Sequence, residues 1–238
     1  ARARDMTSLK ACRTNAAPLP AAVKEQFDSL IGREVLVEGY GLTETSPLTH
    51  ANPIGRAKAG SIGIPLPDTD AKVVDLVTGA DLPTGREGEL LLRGPQVMKE
   101  YWKNPAATER ALAGGWFHTG DVARMDGEGY FFIVDRLKDM INSGGYKVWP
   151  REVEEVLYTH PQVRLAVVFG TPDDYYGEAV KACIVPKDGA EKRLTKEEIT
   201  AFCKARMAAY KVPKQVEFCD SLPVSPQGKV LRRLLRNG

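Results

Sequence analysis

The stretch Asp135-Arg136-Leu137-Lys138-Asp139-Met140-Ile141-Asn142-Ser143-Gly144-Gly145-Tyr146-Lys147 constrains this chain more than any other. It follows an aromatic and β-branched run, Tyr130 to Val134, that reads as a strand, and it precedes Pro150, which suits the first residue of a helix. A strand therefore enters a charged turn, then a glycine loop, then a new folding unit. Junctions of this kind are where scaffolds carry chemistry and where two bodies can pivot. Taken alone, Asp-Arg-x-Lys also reads as a solvated turn, so its meaning depends on the motifs that flank it.

With 238 residues the chain can bury a sizeable core in one or two domains. A net charge of +2 gives no electrostatic case for nucleic acid, and 43% hydrophobic content is ordinary for a globular protein. No apolar run approaches the roughly 18 residues that span a bilayer, and no signal-peptide pattern opens the sequence. The expectation is a cytoplasmic protein without a transmembrane segment, with peripheral membrane contact left open. Cys12, Cys183, Cys203 and Cys219 lack metal-ligand spacing and are expected reduced and partly buried. His50, His118 and His160 form no metal-binding cluster.

Upstream of the junction, residues 20–31 read as a helix with Val23, Phe27, Leu30 and Ile31 at helical spacing and Gly32 past its end. Val35-Leu36-Val37 is a short buried strand that feeds Glu38-Gly39-Tyr40-Gly41-Leu42-Thr43-Glu44-Thr45, a glycine-bracketed polar loop of the kind that meets phosphate. From Gly60 to Val134 the pattern is β-rich, with strands at 72–74, 89–92 and 130–134 between Pro/Gly clusters, and suggests a small barrel or sandwich. Downstream, a helix from Pro150 carries Val153, Val156 and Leu157 on one face, and strands are expected at 166–169, 181–185 and 216–218. Thr195-Lys196-Glu197-Glu198 is a capping box opening a helix with Ile199, Phe202, Cys203 and Met207 inward.

Four short motifs now fall in order: Tyr40-Gly41-Leu42-Thr43-Glu44, Trp116-Phe117-His118-Thr119-Gly120-Asp121, Asp135-Arg136-Leu137-Lys138 and Pro226-Gln227-Gly228-Lys229. Each is weak alone. Together, with Gly88 to Pro95 and Val148 to Glu154, they resemble the adenylate-forming enzymes, and among these the C-terminal portion of bacterial long-chain fatty acid–CoA ligases. The resemblance covers essentially the whole chain. It implies an α+β multi-domain architecture. Residues 1–135 would be the C-terminal part of a large nucleotide-binding α/β domain, with a β-rich subdomain at about 52–135. Residues 136–238 would form a small mobile α+β domain.

The resemblance also implies a two-step reaction. A carboxylate attacks the α-phosphate of ATP in the presence of Mg²⁺, giving an acyl-adenylate and pyrophosphate, and the thiol of coenzyme A then takes the acyl group. Two anions must meet, so cations and donors are needed where charge develops, and water must be kept from the mixed anhydride. By this resemblance Ala16 and Ala17 pass the adenine, Tyr40 and Gly41 lie against it, Thr43 offers a hydroxyl to the α-phosphate and Glu44 is the Mg²⁺ ligand. Asp121 accepts the ribose hydroxyls, and Arg136 contacts ribose or phosphate. Lys229 reaches the carboxylate and phosphate, Lys138 is the hinge, and Gly144, Gly145 and Tyr146 let the pantetheine arm of coenzyme A pass close to backbone. By composition alone Tyr40 is also a core tyrosine, Thr43 a turn cap, Glu44 a surface ion-pair partner, and Lys229 one member of a basic tail with Arg232, Arg233 and Arg236.

The family's Ser/Thr/Gly-rich phosphate loop has no counterpart in the sequence and is expected upstream of residue 1. The chain is therefore expected to be a portion of a longer ligase, inactive alone, with uncovered apolar surface that invites a dimer or the missing part. An aryl- or medium-chain acid ligase and an acyl-AMP ligase serving a carrier protein share the same chemistry. A non-catalytic nucleotide-binding or interaction fragment is the reading from a different class.

Overall fold

A computed structural model describes residues 5–15, 19, 21–189, 194–225 and 229–236, in two compact units, Ala1–Val134 and Asp135–Gly238. The first unit begins with β1 (Cys12–Thr14), α1 (Ala21–Ile31), β2 (Leu36–Tyr40), β3 (His50–Ala51) and β4 (Ile64–Pro65). The strands form a sheet in the order β1-β2-β3-β4, parallel between β1 and β2 and antiparallel beyond. Val35, Leu36 and Val37 are buried, as their apolar run predicts. Gly32 ends α1 in the left-handed region at φ 79°, and its N–H returns to the Asp28 carbonyl at 2.8 Å. Asp28 then ties helix to strand, because its Oδ1 accepts from the N–H groups of Val35 and Leu36 at 2.9 Å each. Half of the apolar stripe predicted for α1 is uncovered within the unit: Leu30 is 82% exposed and Val23 49%, while Phe27 and Ile31 are half-buried.

The second sheet holds β5 (Asp70–Val74), β6 (Gly88–Arg93), β7 (Phe117–Met125) and β8 (Phe131–Arg136), in that order. A short helix α2 (Pro105–Ala111) precedes β7. Asn104 caps it by accepting from the Ala107 N–H, and Pro105 opens it. Leu90 and Leu92 pack with Ile62, Val73, Phe117 and Phe131 in the core. Where a small barrel or sandwich is expected, these strands form one four-stranded sheet, antiparallel from β5 to β7. The outer edge of β8 is taken by Ile62 and Gly63, which exchange two 2.9 Å hydrogen bonds with Phe131.

The second unit contains β9 (Ile141–Ser143), β10 (Tyr146–Val148), α3 (Pro150–Tyr158), β11 (Val163–Asp173), β12 (Gly177–Pro186), α4 (Lys196–Lys204), β13 (Gln215–Phe218) and α5 (Arg232–Arg236). The long β11–β12 hairpin is its spine. β9 and β10 extend the sheet on one side, and β13 pairs in parallel with β12. Ile141, Val153, Leu157, Val168, Ile184, Ile199 and Cys203 form the core of one face. Val167, Phe169, Cys183 and Val185 form a second cluster on which Val230 and Leu235 pack.

The capping box forms as expected, with Thr195 Oγ1 accepting from Glu198 N–H at 3.1 Å and Glu198 Oε2 accepting from Thr195 N–H at 3.0 Å. α4 stops at Lys204, so Met207 packs on the core from the following turn instead of from the helix face. Phe202 stands edge-on to His160 at 4.6 Å. All four cysteines are free; Cys183 and Cys203 are buried and the other two half-buried. The architecture is α+β, with several sheets and few helices.

Candidate active site

In the first unit two of the predicted residues meet directly. Tyr40 ends β2 and Asp121 lies in β7, 81 positions later, and the Tyr40 hydroxyl donates to Asp121 Oδ2 at 2.5 Å. A bulge aims the carboxylate. Leu91 faces His118 and Glu89 faces Val122, so Thr119, Gly120 and Asp121 stand opposite Leu90 alone. Thr119 Oγ1 donates to the Leu90 carbonyl at 2.7 Å and accepts from Asp121 N–H at 3.0 Å. Gly120, at φ 68°, donates its N–H to Glu89 Oε1 at 3.1 Å. The Thr-Gly-Asp triplet, which reads from local sequence as a simple turn, is thus an interruption inside a nine-residue strand.

Beneath Tyr40 lies its cross-strand partner His50, fully buried and edge-on to both Tyr40 (centroids 6.0 Å apart) and Phe131 (4.8 Å). Burial pushes the His50 imidazole down to about 3, so it is neutral at physiological pH. Its Nδ1 lies 3.0 Å from Thr49 Oγ1, and its Nε2 has no hydrogen-bond partner among the described residues.

The loop after Tyr40 doubles back on itself. A Cβ at Gly41 would sit 1.6 Å from the Pro47 carbonyl oxygen, so only glycine fits there. Thr43, Glu44 and Thr45 make one 3₁₀ turn. Thr45, fully buried, holds it by accepting from Leu42 N–H at 2.9 Å and donating to the Leu42 carbonyl at 3.0 Å. Thr43 is exposed. The Glu44 carboxylate accepts from the Tyr101 hydroxyl at 2.9 Å, and the Glu44 carbonyl accepts from Met98 N–H at 2.7 Å. Burial, and then Glu44 itself, pushes the Tyr101 phenol up, so it stays a donor. Sequence reading missed Thr45, Tyr101 and His50. Thr45 differs from Thr43 only in burial, and the other two act through contacts that no local pattern announces.

The second unit carries the remaining residues. Asp135 is 6% exposed; its Oδ1 accepts from Arg136 N–H at 2.7 Å and its Oδ2 from Arg151 N–H at 2.8 Å. Arg151 is the second residue of α3, whose N-cap residue Trp149 offers no side-chain cap, so Asp135 caps that helix from sixteen residues upstream. Burial pushes the Asp135 carboxyl up, while these hydrogen bonds and Arg232 oppose the shift. Arg136 ends β8 half-buried, and Lys138 is exposed in the short turn Leu137–Asp139.

The expected glycine loop is a hairpin turn. Ser143 faces Tyr146 across β9 and β10, with Gly144 at φ 61° and Gly145 at φ 85°, the two positive angles that match hairpin twist. Gly144 N–H donates to the Tyr176 carbonyl at 2.8 Å, and exposed Tyr146 stacks on Tyr210 at 4.5 Å. Lys229 is exposed beside the Val224–Val230 bridge, sharing two hydrogen bonds with Ser225. Arg232, expected in a solvated basic tail, is instead held against acidic side chains and is 23% exposed. Ala16, Ala17 and Pro226 to Gly228 lie outside the described residues.

Among the described residues no group of three or more His, Cys, Asp or Glu could hold a metal ion. A single oriented carboxylate such as Glu44 fits Mg²⁺, which keeps most of its waters and takes phosphate oxygens as further ligands.

The family profile of AMP-binding enzymes matches residues 1–102, and that of the AMP-binding enzyme C-terminal domain matches residues 152–229. The chain belongs to the AMP-binding enzyme family. A long-chain-fatty-acid–CoA ligase of Bacillus subtilis (strain 168) is 50% identical over 97% of this chain and 41% of its own length. A feruloyl-CoA synthase of Amycolatopsis sp. is 44% identical over 99% of the chain and 47% of its own length. ATP-bound MatB from Rhodopseudomonas palustris superposes with a TM-score of 0.89 at 35% identity, covering 94% of this chain and 44% of that one. The chain thus spans under half the length of each of these three proteins.

Proposed function

We propose that this chain serves an acid–thiol ligase that activates a long-chain fatty acid with ATP to acyl-AMP and transfers the acyl group to coenzyme A. The observation that carries the reading is the Tyr40–Asp121 pair, which joins two family motifs 81 positions apart through one 2.5 Å bond. Tyr40 offers a ring face to adenine, while its hydroxyl orients the Asp121 carboxylate for the ribose hydroxyls. Ala16 and Ala17 line the same base. Thr43, exposed on the turn behind Gly41, donates to an α-phosphate oxygen. Glu44, oriented by Tyr101, would hold Mg²⁺, and that ion would supply positive charge against the triphosphate.

In the second unit, the part assigned as the small mobile domain, Arg136 meets ribose or phosphate. Lys229 supplies a cation to carboxylate and phosphate during adenylation, and the Gly144-Gly145 turn beside Tyr146 gives the pantetheine arm a passage without side chains. Lys138 is the pivot between the two steps. The protein is assigned to the cytoplasm; no helix among the described residues is long and apolar enough to cross a membrane. Lacking a phosphate loop of its own, the isolated chain is expected to bind adenylate without completing turnover. The feruloyl-CoA relative supports an aryl acid as the competing substrate class.

ATP–pyrophosphate exchange over a panel of acids, with a ligase built on this chain, separates the substrates. Long-chain acids should exchange fastest, and exchange confined to aryl acids would reverse the assignment. Lys229→Ala should slow adenylation about tenfold to several hundredfold, the range expected for a lost charge-assisted bond that strengthens in the transition state. Thioester formation from preformed acyl-adenylate should change little, and equal loss in both half-reactions would remove Lys229 from this role.

A further inference from the structure

Arg232 lies three positions after Lys229 and opens α5. Its Nη2 reaches both carboxylate oxygens of Glu154 on α3, at 2.7 and 2.9 Å, and its Nε donates to the Val168 carbonyl on β11 at 3.2 Å. Its Nη1 lies 3.6 Å from Asp139 Oδ2, and Arg236 Nη2 lies 4.0 Å from Asp139 Oδ1. Asp139 closes the Leu137–Asp139 turn that contains Lys138, and its side chain is only 13% exposed. Glu154 is equally shielded and also accepts from Val168 N–H at 2.8 Å. One guanidinium therefore bridges the helix, the sheet and the hinge turn, in a place where an unpaired carboxylate would be costly.

Between Arg232 and Lys229 the backbone is pinned as well. The Val224–Val230 bridge and the Leu231 N–H bond to Pro223 at 2.8 Å leave little slack.

We infer that Arg232 is a positioning residue that couples the Lys229 segment to the hinge turn through Asp139 and Glu154, so that Lys229 is presented as one body with that turn. The inference rests on the role proposed for Lys229, but the coupling can be read without any activity.

Amide hydrogen exchange of the 238-residue chain provides the test. Asp139→Asn should raise exchange about threefold to tenfold at Val230 and Leu231, about ninety residues away in sequence, as expected for loss of a partly buried ion pair. Arg232→Met should raise it both there and at Met140, whereas the β11–β12 spine should stay protected. Asp139→Glu, which keeps the carboxylate, should restore the protection. If Asp139→Asn leaves Val230 and Leu231 unchanged, or if Asp139→Glu loosens them as much as Asp139→Asn does, the coupling is overturned. If the coupling holds but Lys229→Ala leaves adenylation intact in a ligase built on this chain, the assignment of Lys229 fails while the positioning by Arg232 stands.

Discussion

At the scale of single residues, the proposed nucleotide site concentrates on Asp121. It is buried, aimed by a bulge and held by a phenol, so its carboxylate is oriented before any ligand arrives. Replacing it by alanine removes the charged acceptors proposed for the ribose. AMP affinity should fall about tenfold to a hundredfold, equivalent to roughly 1.5–3 kcal/mol, and titration calorimetry would read it.

His50 sets a pH dependence. Its folded value, about 3, is below the unfolded value of 6.5, so the unfolded chain binds the proton first and acid favours unfolding. The stability that neutral His50 contributes is present above 6.5 and is lost as pH falls toward 3. Between pH 6.5 and 5 this one group should cost the first unit up to about 1.4 kcal/mol per pH unit. Denaturant unfolding at both pH values should show a steeper loss for the native sequence than for His50→Gln. Equal slopes would mean that His50 takes its proton while folded.

At the scale of elements, Gly41 and the Gly144-Gly145 turn are both places where side chains are excluded, but for different reasons. At Gly41 the obstacle is backbone 1.6 Å away, so Gly41→Ala must unfold the loop and should abolish nucleotide binding. At Gly145 there is open space but φ is 85°, so Gly145→Ala costs about 1–2 kcal/mol of strain without a clash. It should slow thioester formation while leaving adenylation near normal, which half-reaction assays would show.

The elements that local pattern predicts are those whose signal lies in the residues themselves: the capping box at Thr195, Pro150 opening α3, and the buried run at Val35. The elements that local pattern leaves unread depend on partners. β7 hides its strand character behind a bulge at Thr119 to Asp121, and the Gly144-Gly145 segment becomes a hairpin only once Ser143 pairs with Tyr146. Arg232 reads as tail because Glu154 and Asp139 are far from it in sequence.

At the scale of the whole molecule, the Asp135-Arg136-Leu137-Lys138 stretch does more than join two patterns. Asp135 caps α3, and Asp139 is held near Arg232 and Arg236, so Lys138 sits exposed between two anchored residues. A pivot at Lys138 must therefore break the Asp135 cap or twist within the three residues between Asp135 and Asp139. Lys138→Pro narrows both Lys138 and Leu137 in backbone angle. It should lower one half-reaction at least about tenfold while sparing the other, as a trapped orientation would. Normal rates in both would place the pivot elsewhere.

The motifs made the family legible because they lie in short contiguous runs. The Tyr40–Asp121 bond was not legible, because it spans two sheets. The proposed nucleotide site hinges on that bond, and titration of AMP into the 238-residue chain tests it most directly. Saturable binding is expected, and Asp121→Ala should weaken it by about tenfold or more. Absence of binding to the native sequence, or binding that Asp121→Ala leaves unchanged, would contradict the proposed site.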